Sequence, residues 1–171
     1  WQPYLHEMLN TILAKGRNEH GLFYDEINPL TGEIIQKRIA DNFGYTLNAF
    51  YTVYMIDGVP AYREATLKAF DSLSANYRNH DWENGSADGY ADAIEGTLNL
   101  YLREPIPSVK DWLESEIKVL WNFQKTDGII EGWHGDGNFA RTSLMYALWK
   151  TAGTHLSEWN RDVIYGAVTD K

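Results

Sequence analysis

The chain has 171 residues, 44% of them hydrophobic and 23% charged, which fits one globular domain with a sizeable core and not a disordered or collagen-like chain. A formal net charge of -9 without basic clusters makes nucleic acid an unexpected partner and argues against an anionic membrane surface. Cysteine is absent, which removes disulfide scaffolds, thiol catalysis and Cys-type metal centres, and no apolar run approaches the roughly 20 residues of a membrane span.

In chain order, a first short helix is expected over Gln2–Ala14, closing near Gly16. Asn28-Pro29 and Thr31-Gly32, set between Leu22-Phe23-Tyr24 and Ile34-Ile35, read as an extended loop or a small hairpin. Phe43, Leu47, Phe50, Tyr51 and Tyr54 recur at helical spacing and predict a helix over Asp41–Ile56, stopped by Asp57-Gly58. Pro60 suits the first turn of a third helix ending near Tyr77, with Tyr62, Thr66, Ala69, Phe70 and Leu73 on one face. A polar loop, 79–85, precedes a fourth helix over Ala87–Leu102. Pro105 and Pro107 then lead into a fifth, Ser108–Gln124, whose apolar stripe includes Val109, Trp112, Leu113 and Ile117. A Gly-rich loop precedes a sixth helix over Asn138–Ala152. The chain opens on Trp1 rather than Met, so its natural N-terminus is expected to lie upstream.

The third and fifth helices carry charges on one face, as surface helices do, whereas the second and sixth are apolar nearly all round, as buried helices are. The expected order is buried, exposed, buried, exposed, buried. Each buried helix starts at an acid: Asp41-Asn42-Phe43-Gly44-Tyr45, Asp88-Gly89-Tyr90-Ala91 and Asp136-Gly137-Asn138-Phe139-Ala140, at spacings of 47 and 48 residues. With Gly21-Leu22-Phe23-Tyr24-Asp25 and Gln124-Lys125-Thr126-Asp127-Gly128-Ile129, this alternation resembles the (α/α) toroid of six-hairpin glycosidases. The resemblance covers about Gly21 to Gly153 and is one of architecture. It implies an all-α domain, residues 1–171, built of consecutive inner and outer helical hairpins. Three hairpins fill most of this length where the full ring has six, so the chain is expected to be part of a larger toroid or an open half-ring. A half-ring would leave apolar inner surface for another copy, or the rest of a longer chain, to cover.

The resemblance also implies a ligand funnel at one end of the inner helices, with Asp41, Asp88 and Asp136 at its rim. Paired carboxylates there would suit glycoside hydrolysis, which needs one acid to protonate the leaving oxygen and another to activate water or attack. Asp136 and Asp88 are the expected acid/base pair, and Asp41 the third candidate. The plain alternative is that an acid at a helix start only caps backbone amides and complements the dipole.

Around Asp136 the segment Glu131-Gly132-Trp133-His134-Gly135-Asp136-Gly137-Asn138, with Arg141 one turn on, offers Trp133 for stacking and His134, Asn138 and Arg141 for hydroxyls. A second constellation joins Trp82 to Asp88, Asp92 and Glu95, which share a face at i, i+4 and i+7. Those acids could meet sugar hydroxyls, a hard cation, or Arg38, Arg103 or Arg141. Tyr45 joins the expected sugar-holding set.

No cofactor is expected, and the scattered histidines show no metal-ligand pair; Asn84-Gly85-Ser86 fits a glycosylation sequon that arises often by chance. The expected partner is an oligo- or polysaccharide. The competing readings are a non-catalytic module binding glycan or protein, an unsaturated-uronide hydrolase or polysaccharide lyase, which would want local Arg or Lys, and a purely structural half-ring.

Overall fold

The structure, a computed structural model, describes residues 2–123. Five α-helices and one two-stranded sheet make up these residues: α1 (Gln2–Lys15), β1 (Tyr24–Ile27), β2 (Ile34–Ile39), α2 (Phe43–Asp57), α3 (Pro60–Asn76), α4 (Ala87–Tyr101) and α5 (Pro107–Phe123). The described part is therefore mostly helical, and the segment read as a loop or hairpin is a hairpin. The sixth predicted helix, with Trp133, His134, Asp136, Asn138 and Arg141, lies outside the described residues.

The hairpin is turned by Asn28, whose Oδ1 accepts the N–H groups of Leu30 and Thr31. Its antiparallel register pairs Tyr24 with Ile39 and Ile27 with Ile34, with an irregularity between. Arg38 bridges it to Asp25 at 2.5 Å, and the Ala40 N–H donates to Phe23 O at 2.9 Å. The hairpin thus fixes where residue 41 begins the approach to α2.

Helix α2 stops because Gly58 takes a left-handed conformation (φ 71) and donates its N–H to Tyr54 O. Pro60 opens α3. Tyr62, Thr66, Ala69, Phe70 and Leu73 are all buried along α3, as the spacing predicts, and Ala65 is buried with them. Val109, Trp112, Leu113 and Ile117 are likewise buried along α5. Burying side chains of this size stabilises by about 1.5–3 kcal/mol each.

Two helical hairpins lie side by side. α2 turns back into α3, and α4 into α5; α2 packs against α4, and α3 against α5. Contacts between the inner pair advance together along both chains, from Gly44 beside Gly96 to Thr52 beside Arg103, so α2 and α4 run in the same direction. Their closest approach is at two glycines. A Cβ on Gly44 would lie within 2.6 Å of Gly96 Cα, and one on Gly96 within 2.8 Å of Gly44 Cα. Asn48 seals this crossing by donating from Nδ2 to Gly44 O at 2.9 Å and Gly96 O at 3.1 Å.

Two expectations are corrected. α2 is not enclosed all round by the described residues: Tyr45, Ala49, Thr52 and Ile56 form an exposed stripe, with Met55 67% and Ile56 75% exposed. The apolar composition of α2 reflects one face on the core and another that no described element covers. Nor do the two helix-start acids cap through the first residue of the helix. α2 has Asn42 at its cap position without a side-chain bond, and α4 is capped by Ser86, whose Oγ accepts the Gly89 N–H at 2.9 Å. Asp41 precedes the α2 cap and Asp88 sits inside the first turn of α4.

Gly44→Ala is expected to destabilise by about 3 kcal/mol in urea unfolding, because a methyl there meets backbone that cannot rotate away. A loss under about 0.5 kcal/mol would show that the inner helices are not held at this spacing.

Candidate functional site

Asp41 and Tyr45 at the start of α2 face the first half of α4, which carries Asp88, Asp92 and Glu95; all five are named from the sequence. The glycine crossing sets their relation. Tyr45 follows Gly44, and Asp92 and Glu95 precede Gly96 by one turn or less, so close contact of the two backbones brings these side chains together. The Tyr45 hydroxyl reaches Glu95 Oε2 at 2.8 Å and Asp92 Oδ1 at 3.2 Å. It has one proton to donate, so it bridges two acceptors that are themselves anions or acids.

Asp41 and Asp92 both titrate above the ordinary range. Burial is the main cause for Asp92, followed by the charges of Asp41 and Asp88, and together they push it up to about 6 against the donation from Tyr45. Burial also raises Asp41, and Glu83 adds to it, while the Asn42 N–H and Arg38 act the other way. The Tyr45 hydroxyl is held protonated by burial and by the acids it faces. Such a carboxyl, part-protonated near neutrality among ionised neighbours, is what general acid/base chemistry requires.

Two of the arginines named as partners from the sequence are engaged elsewhere among the described residues. Arg38 is taken by Asp25, and Arg103 donates from Nη1 to the Thr52 hydroxyl at 2.8 Å. No group of acids and histidines among the described residues is arranged to hold a metal ion, and no described helix is long and apolar enough to cross a membrane.

Trp82 does not serve as a sugar platform. It is fully enclosed, with its ring against Phe43 (5.3 Å between centroids), His80 (4.6 Å) and Trp112 (6.2 Å). An indole so surrounded offers no face to a ligand, and its place in a polar loop hid this from the sequence. Its neighbour Glu83 joins the site instead. Glu83 takes a positive φ of 46, accepts from the Ser86 hydroxyl, and acts electrostatically on Asp41. The Trp82–Glu83 segment rests directly on α4, since a Cβ on Gly89 would fall 2.5 Å from Glu83 Cβ. Nothing in the local sequence of Glu83 separates it from a solvated loop acid.

Two substitutions should move Asp92 in opposite directions in a carbon-detected NMR titration. Asp41→Asn removes a repelling charge and lowers its pKa; Tyr45→Phe removes a donor and raises it. Because the folded state holds the Asp92 proton more tightly than the unfolded chain, this residue favours folding most below its ordinary value of 3.8, and that contribution is lost as pH rises through about 6. Asp92→Asn is therefore expected to stabilise the protein at pH 7 by about 1 kcal/mol, after allowance for its partial exposure. Unchanged or lower stability would contradict this electrostatic account. No family model, curated protein or solved structure matches the chain.

Proposed function

We propose that this chain belongs to an (α/α) toroid and acts on carbohydrate as a glycoside hydrolase, with its acid/base groups at the shared end of the inner helices. One observation carries the reading: Asp41, Asp88, Asp92 and Glu95 are gathered where the start of α2 meets the first half of α4, with Asp92 raised to about 6. The side-by-side inner and outer helical hairpins support the architectural half of the proposal.

In this reading Asp92 supplies the proton to the leaving oxygen, because its environment keeps a fraction of it protonated at neutral pH. Asp88 or Asp41 then activates water or attacks the sugar carbon, with Asp136 the further carboxylate named from the sequence. Tyr45, at the exposed edge of the cluster, orients Asp92 and Glu95. The concentration of acids, with a formal net charge of -9, favours a neutral sugar over a uronide, and so weighs against the lyase reading.

A second reading, a binding module, is favoured by the exposed stripe on α2. Tyr51, Thr52, Met55 and Ile56 line a recess of about 400 Å³ there with Arg103. It lies away from the acids, toward the C-terminal ends of both inner helices.

The test is hydrolysis of a panel of neutral oligo- and polysaccharides by the protein and its variants. Asp92→Asn and Asp88→Asn are each expected to lower turnover at least about 100-fold while leaving the fold intact. The activity limb governed by the acid should fall as pH rises above about 6, where Asp92 loses its proton. Full activity in both variants would overturn the assignment, and sugar binding without turnover, unchanged by either substitution, would favour the binding module.

A further inference from the structure

Glu116 is the only fully buried acid among the described residues, at 0% exposure. It sits on the core stripe of α5, one turn beyond Trp112, and both side chains reach up to the segment 77–86 that links α3 to α4. The Trp112 Nε1–H donates to Tyr77 O at 3.0 Å. The Asn79 N–H donates to Glu116 Oε1 at 3.0 Å. The other oxygen, Oε2, is buried without a hydrogen-bond partner, and the Trp82 indole N–H faces the carboxyl without reaching hydrogen-bond geometry to any acceptor.

The segment over Glu116 is anchored by Tyr77, Trp82 and Ser86, which are buried. Arg78, Asn79, Asp81 and Asn84 are exposed on its outer side. Among the described residues, all three non-glycine positions with positive φ lie here: Asn79 (52), Glu83 (46) and Asn84 (58). Asparagine adopts this conformation readily, whereas for Glu83 it costs energy and persists only while its surroundings hold it. Here the holding contacts are the two bonds from α5, the packing of Trp82, and the seat of Glu83 on α4.

We infer that Glu116 is a proton-controlled latch: with its proton the segment 77–86 stays closed over α5, and on losing it the segment opens to let water reach the carboxylate. The physical reason is the cost of an enclosed anion. Water is the cheapest remedy, and a one-segment lid is the shortest way to it. The groups facing Glu116 do not supply a substitute. From the linking segment these are the Trp82 indole, outside hydrogen-bond geometry, and Arg78, itself solvated; from α4 it is Tyr90, whose hydroxyl is held protonated by burial and by Glu116 itself, while His80 in the same segment is lowered by burial. Burial pushes Glu116 from 4.5 up to about 7, while the Asn79 N–H, Trp82 and Arg78 pull the other way. The closed form thus holds the proton more tightly than an open form with an ordinary carboxyl. The open fraction rises with pH between 4.5 and about 7 and levels off above. The segment also carries Glu83, so opening carries that acid away from Asp41. The inference does not depend on any catalytic role for the site.

Hydrogen exchange at pH 5 and pH 8, corrected for intrinsic rates, tests it on the intact protein. The opening constant of amides 77–86 is expected to rise roughly 70-fold between the two, relative to amides of α2 and α3 as internal references. In Glu116→Gln the rise should vanish. A wild-type opening constant constant within about twofold would overturn the inference without recourse to any variant. So would an equal rise in the α2 and α3 amides, or a rise that survives in Glu116→Gln.

Discussion

Everything described at the carboxylate site depends on how closely two helical backbones can approach. Gly44 and Gly96 let α2 and α4 touch main chain to main chain, and Asn48 ties both carbonyls at that point. Two ordinary side chains there would part the helices by several ångströms. The Tyr45 hydroxyl could then no longer span to Asp92 and Glu95, and the crowding that raises Asp92 would weaken with distance. The glycines are far from any acid–base chemistry in kind, yet they set its electrostatics.

The outer layer acts differently. Through Trp112 and Glu116, α5 holds the linking segment that presents Glu83 and the Ser86 cap of α4. The first turn of α4, with Asp88 in it, is therefore braced from below by its own partner helix. A buried carboxyl is a costly brace. An apolar residue in its place would leave the Asn79 N–H without its acceptor, while the glutamate answers that N–H and carries a charge cost of its own.

Much of this was legible in the sequence, because helical periodicity is a local signal. Tyr62, Ala69, Phe70 and Leu73 on α3, and Val109, Trp112 and Leu113 on α5, are buried as their spacing predicts. Asp88, Asp92 and Glu95 could be placed on one face from spacing alone, and the 47-residue repeat brought Asp41 and Tyr45 to the same end. What the sequence withheld was set by non-local contact. Trp82 stands in a polar loop and gives no hint that Phe43, His80 and Trp112 enclose it. Glu116 reads as one more charge on a surface helix until the segment from α3 is seen to lie across it. The exposure of Met55 and Ile56 was hidden by the same rule that found the core, since composition counts apolar residues without saying what covers them.

The parallel placement of the inner helices also orders assembly. Tyr45 and Asp92 lie 47 residues apart, one in each hairpin, so neither hairpin alone contains the bridge between them. Each hairpin can close through local contacts at small loop-closure cost, whereas Asp41 and Tyr45 meet the α4 acids only when one hairpin docks on the other. The repulsion among Asp88, Asp92 and Glu95 is already present when α4 forms, and docking adds the Asp41 charge to it. The Asp41 charge and the Tyr45 donor thus reach Asp92 through the same inter-hairpin contact that brings the glycine crossing and the Asn48 seal into being.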